Sequence, residues 1–252
     1  MKLIKSKSIF WFLYTTILLA FLYSGLVIVD FLIPRITLFI PLETSVDNNE
    51  YVQDSEKQKT ELLKRGFIRA INLAVIDKHI EFKSVMKENS ALGISSYPNK
   101  DILHCNEGYG WQTYRSDRYG FRNFNEQYDT QVDVAIFGDS FIHGGCVPTE
   151  TTISQTMSEI SNTLGFGIDG SDPIHYAAMI NVMLPKVLPK QAGIAFYNND
   201  FNDSDRASIF YKFFVKDRNN ASNYFDSNGE LSLKITKYYD EIYRIYSKEA
   251  AL

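Results

Sequence analysis

Three short polar clusters in this sequence carry residue types suited to acyl chemistry: Gly138-Asp139-Ser140, Asp169-Gly170-Ser171 and Asn198-Asn199-Asp200. Each follows a run that reads as a β-strand. Residues 132–137 (VDVAIF) are β-branched and apolar and stop at a glycine, the pattern of a buried strand. Residues 166–168 form a second, weaker run and 192–197 (AGIAFY) a third. In an open parallel sheet, ligands gather beyond the carboxyl ends of the strands, so loops after successive strands converge on one edge. A serine in a tight strand-to-helix turn presents its hydroxyl there, above the helix amides. Negative charge developing on an acyl oxygen is favoured at such a place. A glycine amide and an asparagine amide nearby can complete an oxyanion hole, each donor lowering the barrier by about 3 kcal/mol.

The elements that must position these clusters alternate. Residues 149–164 read as a helix, and Asp172-Pro173 opens another, with Asp172 as N-cap and Pro173 in the first helical position. Strand and helix in turn predict βαβ units and a parallel sheet. Upstream, residues 89–126 are rich in Gly, Tyr, Asn and Ser and read as loop with short extended pieces. Residues 61–82 read as an amphipathic packing helix, and the polar stretch 43–60 as a linker. Downstream, Asn228-Gly229 signals a hairpin, and 236–252 reads as a helix.

Residues 8–29 contain no charged side chain, and Lys2, Lys5 and Lys7 precede them. A helix of that length crosses a hydrocarbon core about 30 Å thick. The lysines mark the cytoplasmic side, which puts the remainder outside the cytoplasm, periplasmic in a Gram-negative cell. The run is too long for a signal-peptide core and lacks a small-residue cleavage site. The expected organisation is an anchor over 1–35, a linker with amphipathic helix over 36–88, and an α/β domain over 89–252. The bilayer is then one partner. Nucleic acid is not, because the net charge is -4 and there is no basic patch beyond the N-terminus. Two cysteines have no zinc-ligand spacing. In an oxidising space Cys105 and Cys146 are a disulfide candidate, tying the lead-in loop to the serine loop; two buried thiols are the alternative.

The order and spacing of the three blocks resembles the SGNH hydrolases, also called GDSL-like. The matching residues are Gly138-Asp139-Ser140-Phe141, Gly170 in GIDGSDP, and Asn199-Asp200 in FYNNDFND. The lead-in Ser116-Asp117-Arg118-Tyr119-Gly120-Phe121-Arg122-Asn123 is similar to that of membrane-anchored members. The resemblance spans about residues 117–203. It implies a flavodoxin-like three-layer sandwich around a central parallel sheet, here preceded by one transmembrane helix. It makes Ser140 the nucleophile and an oxyanion donor, with Gly170 and Asn199 the other donors. It implies an acyl-enzyme intermediate and neither metal nor organic cofactor. The reading is a membrane-tethered esterase acting on acyl esters of carbohydrate or lipid. Its alternatives are an O-acyltransferase of cell-envelope polysaccharide and a glycan-binding protein with a decayed site.

The chain departs from that pattern in three places. Tyr197 stands where the third block normally opens with Gly, the second strand is short, and no His follows His175. The family's base is a His near the C-terminus in an Asp-x-x-His block, so the chain is expected to be truncated before it. Within these residues His175 is the substitute base and His143 a lesser one; His79 and His104 read as surface or structural. Asp139 braces the turn, and Asp200 and Asp203 cap the next helix. The aromatic sets Phe210, Tyr211, Phe213, Phe214 and Tyr238, Tyr239, Tyr243, Tyr246 read as packing.

Overall fold

The computed structural model describes Tyr14 and residues 48–76, 80–108, 110–198, 200, 208–217 and 219–249. Contacts divide the chain into two compact units, Met1–Tyr51 and Val52–Leu252. Helix α1 covers Asn48–Lys64, followed by β1 (Ile68–Arg69), α2 (Leu73–Ile76), α3 (Ile80–Asn89), β2 (Asp101–Leu103) and β3 (Thr113–Arg115). The second half holds β4 (Val134–Gly138), α4 (Ser140–His143), α5 (Ile153–Ser158), β5 (Thr163–Gly167), α6 (Pro173–Val187) and β6 (Gln191–Ile194). A π-helical turn over Tyr211–Lys216 leads to α7 (Asn219–Ser222) and α8 (Leu233–Glu249).

The strands form two small sheets. In the first, β2 pairs parallel with β1 and antiparallel with β3. In the second, β4 lies between β5 and β6, parallel to both. The β5 strand is buried at every residue and β6 is exposed at every residue. Burial of β5 needs its glycines. A Cβ on Gly167 would stand 2.6 Å from the Asp139 carbonyl oxygen, and one on Gly165 would stand 2.7 Å from Ser154 Oγ. The stacked rings of Phe137 and Phe166, 5.1 Å apart, join β4 to β5, and Phe121 meets Phe166 edge-on at 5.0 Å. Helix α6 starts where the Asp172 carboxylate accepts the Ile174 and His175 amides, with Pro173 in its first turn. The Tyr239 hydroxyl accepts the amides of Ile94 and Ser95, each at 3.2 Å, which ties α8 to the loop after α3.

This is not the fold expected from the sequence. The described residues build a mixed α/β structure with two three-stranded sheets, one of them mixed, rather than a three-layer sandwich on one central parallel sheet behind a membrane helix. Among the described residues no helix is long and apolar enough to cross a membrane. The apolar run 8–29, Tyr14 aside, lies outside them. The physical reason for the small sheets is local. After β6 the described chain continues as helical turns, and residues 224–235 contribute one isolated bridge, Phe225 to Leu231, closed by Gly229 at φ 78°. The stretch 43–60 read as linker is helical from Asn48, because a helix polar all round has no apolar stripe to announce it. The helix expected over 149–164 shrinks to a 3-10 turn (Thr149–Thr151) and α5, and its last residues belong to β5.

Candidate functional site

The carboxyl ends of β5, β4 and β6 lie side by side, and the three polar clusters extend from them. Ser140 opens α4 directly after the central strand and is half-buried. The Asp139 carboxylate caps this turn by accepting the Phe141 amide at 2.9 Å. Gly144, at φ 80°, ends it, and Gly145 donates to the Ser140 carbonyl at 2.8 Å. Among the described residues, no side chain hydrogen-bonds the Ser140 hydroxyl. The turn is held close on two sides. A Cβ at Gly138 would press on Ile142 at 2.5 Å and on the Ala195 carbonyl at 3.2 Å, and Gly167 lies directly under Asp139. The rings of Phe141 and Tyr197, 4.5 Å apart, bring the loop after β6 against the loop after β4.

Carboxylates meet at this edge. Burial raises the Asp139 carboxyl, and the charges of Asp200 and Asp169 add to the shift. Buried Asp200 accepts the Tyr197 amide at 2.6 Å, so it braces its own turn. Burial, then the Asp139 and Asp200 carboxylates, hold the Tyr176 phenol well above its ordinary range. Gly170 forms the turn after Asp169 at φ 70°, in the left-handed region that favours glycine. Asn199 and Asp203 lie outside the described residues, as does His79.

Neither histidine named as a base reaches Ser140. His175 is 3% exposed, and its Nδ1 sits 2.8 Å from Asp172 Oδ1, inside the capping box of its own helix. Its ring packs on Phe210 at 4.4 Å, and its buried Nε2 has no hydrogen-bond partner among the described residues. His143 is buried, with both ring nitrogens engaged. Its Nδ1–H donates to Asp169 Oδ1 at 2.8 Å, and its Nε2 accepts from the Tyr114 hydroxyl at 2.8 Å.

That pairing belongs to a larger network that spacing along the chain does not reveal. Asp169 Oδ2 accepts from His104 Nε2 at 2.9 Å, and Arg122 Nη1 approaches His104 Nδ1 at 3.5 Å. Arg122 also donates to the carbonyls of Gly144 at 2.7 Å and Val147 at 2.6 Å, gripping the loop that follows the serine turn. Asn123 exchanges two hydrogen bonds with the Gly165 backbone of β5, at 2.8 and 3.0 Å. The disulfide Cys105–Cys146 closes the same region, with Cα atoms 5.3 Å apart. The lead-in segment is thus a brace for the serine loop. The adjacency of His104 to Cys105 was the one sequence signal that it faced this loop.

Burial sets the charge of His143, and hydrogen bonding overrides burial at Asp169. Burial, then His104, lowers His143 to a pKa of about 4, so its imidazole is neutral at neutral pH. Burial works to raise the Asp169 carboxyl, but His143 and the two imidazole hydrogen bonds outweigh it and hold it well below the usual carboxylate range. With His143 neutral, N–H donation and not a charge pair with His143 keeps Asp169 ionised. His104, His143 and Asp169 offer ligand atoms within 4.8 Å of one another, a donor set of the type that holds a transition-metal ion. As folded, the set closes on itself. Each imidazole gives one N–H to Asp169 and turns its other nitrogen to a protein donor, while Arg122 supplies the positive charge.

No family model matches the chain, and no curated protein or solved structure is significantly similar to it.

Proposed function

We propose that this chain carries a serine acyl-transfer site of the SGNH kind at Ser140, acting outside the cytoplasm on acyl esters of carbohydrate or lipid. The observation that carries the reading is the placement of Ser140. It stands at the carboxyl end of the central strand of a parallel sheet, with its hydroxyl unclaimed by other described side chains. In this reading Ser140 Oγ bonds to the ester carbonyl carbon, and its proton passes by way of solvent to the departing alcohol oxygen. The alcohol leaves with a proton, and the acyl-enzyme passes its acyl group to water or to a sugar hydroxyl. Asp139 fixes the turn, and Gly170 lies in the neighbouring loop as a candidate amide donor. The carboxylates of Asp139 and Asp200 make a neutral acyl ester a better fit than an anionic one. The disulfide supports an oxidising compartment.

A second reading is favoured by one observation: His143 has both ring nitrogens engaged, and His175 is buried against Phe210 within the capping box of its own helix, so neither is hydrogen-bonded to Ser140. In that reading the same edge binds an acylated glycan without turnover. Fluorophosphonate labelling of the full-length chain, read by intact mass beside Ser140→Ala, separates the two. Acyl transfer predicts one phosphonyl adduct that is absent from the variant. A folded wild-type chain that takes no label refutes acyl transfer at Ser140 and leaves the binding reading.

A further inference from the structure

Away from the serine edge, a cavity of about 330 Å³ lies between α8 and the loop that follows α3. Helix α8 gives it Thr236, Tyr239, Asp240 and Tyr243, which recur at the three- and four-residue spacing that lines one side of a helix. Residues 97–100 and Arg118 contribute another wall, and Glu230 and Leu231, at the isolated bridge, complete the lining. These walls are fixed in advance of any ligand. The Lys100 amide donates to Ser116 Oγ at 2.9 Å and the Asn99 amide to the Asp117 carbonyl at 3.0 Å. Tyr97 meets Tyr243 edge-on, with ring centroids 5.7 Å apart. The charged groups are held in place but not paired with one another. The Lys100 ammonium lies 4.5 Å from the Tyr243 ring centroid, and no carboxylate among the described residues pairs with it. Arg118 is fixed to Asn125 and Asp129 through Nε and Nη2, which leaves Nη1 without an acceptor among the described residues. The side chains of Glu230 and Asp240, both exposed, accept no hydrogen bond among the described residues. Glu230 acts on the Arg118 charge without bonding to it, and Asp240 stands one turn before Tyr243, the ring that carries Lys100.

We propose that this cavity binds a neutral saccharide. Its volume falls at the low end of the roughly 300–1,000 Å³ typical of small-molecule sites. The chemistry of the ligand follows from the donors and acceptors around it. Lys100 and Arg118 only donate, and the Glu230 and Asp240 carboxylates only accept. Each cation has an anion in its neighbourhood, so a singly charged ligand meets one wrong sign wherever it lies, and so does each end of a zwitterion. A hydroxyl both donates and accepts. Neighbouring hydroxyls of a sugar therefore answer a carboxylate and an ammonium together, with no net charge to place. Pro98, Leu231 and the tyrosine rings supply apolar surface for the sugar's C–H groups. The cavity shares no residue with the edge around Ser140, so the inference is independent of any chemistry there.

The test is saturation-transfer NMR on the full-length chain in a polyoxyethylene detergent, which carries no sugar. The probes are glucose, galactose, mannose and N-acetylglucosamine, with glycine betaine and acetate as charged controls. At least one sugar is expected to take up saturation, and neither control. Thr236→Trp, which fills the α8 side of the cavity, and Asp240→Ala, which removes an acceptor, both alter exposed positions. Each is expected to weaken the sugar at least tenfold with unchanged circular dichroism, and Ser140→Ala to leave its binding unchanged. No saturation of any of the four sugars, a preference for betaine or acetate, or binding indifferent to either cavity variant would each overturn the proposal. Binding lost in Ser140→Ala would also overturn it, by placing the sugar at the serine edge. A chain that binds sugar in this way but takes no fluorophosphonate label would refute acyl transfer at Ser140 alone.

Discussion

Asp117 and His143 should pull the stability of this fold in opposite directions as the pH falls. Asp117 is buried and accepts the amides of Tyr119 and Phe121, Asn123 Nδ2 and the Tyr128 hydroxyl, at 2.8, 2.9, 3.1 and 2.6 Å. Burial outweighs these bonds and raises its pKa from 3.8 to about 6. A carboxyl whose folded pKa is raised binds more protons folded than unfolded, so its cost at pH 7 is relieved as the pH falls from about 6 towards 3.8. His143 is the reverse case. Its pKa drops from 6.5 to about 4 on folding, so the unfolded chain takes its proton first, and stability is lost across that window. Between pH 7 and pH 4 the histidine removes ~3 kcal/mol and the aspartate returns ~2.5 kcal/mol, at 1.36 kcal/mol per pKa unit. The two nearly cancel in the wild type. Asp117→Asn abolishes the return, so relative to wild type it should lose ~2.5 kcal/mol on going from pH 7 to pH 4. His143→Gln should gain ~3 kcal/mol over the same range. Urea unfolding at pH 7, 5.5 and 4 measures both, and the change of each difference with pH is the readout. Variants whose pH dependence runs parallel to wild type, or shifts in the same sense, would refute the assignment of these two buried groups.

Two further substitutions probe the brace around the serine loop. The Cys105–Cys146 bridge spans 41 residues, for which chain entropy gives about 4 kcal/mol; the paired Ser variant should unfold at correspondingly lower urea, and an unchanged midpoint would show that the bridge contributes nothing. Gly167→Ala forces a methyl against the Asp139 backbone, 2.6 Å away, and should cost about 2 kcal/mol in thermal stability and slow any fluorophosphonate labelling of Ser140; a melting temperature within a degree of wild type would contradict that close approach.

What the sequence could disclose depended on how far apart the interacting residues lie. The β4 strand and the turn after it were legible because a β-branched run stops at Gly138, and the start of α6 because Asp172 and Pro173 are adjacent. The strands β1, β2 and β3, two or three residues long, are too short to show a period. β5 was blurred by Gly165 and Gly167, and those glycines are there because Ser154 and the Asp139 turn pack directly on the strand.

The centre of the brace is a different matter, since His104, His143 and Asp169 come from three segments and meet only in the folded chain. His104 and His143 face the same carboxylate with rings 4.1 Å apart, yet 39 positions separate them in sequence. Their role follows from burial. An imidazole with no access to water must find a partner for each nitrogen or lose the hydrogen bonds it makes when unfolded. Tyr114, Asp169 and Arg122 meet that demand, and in doing so they remove His143 from competition as a base. A histidine three residues from the serine is thus part of what holds the serine turn in place. Any acceptor for the Ser140 proton must come from groups other than His143.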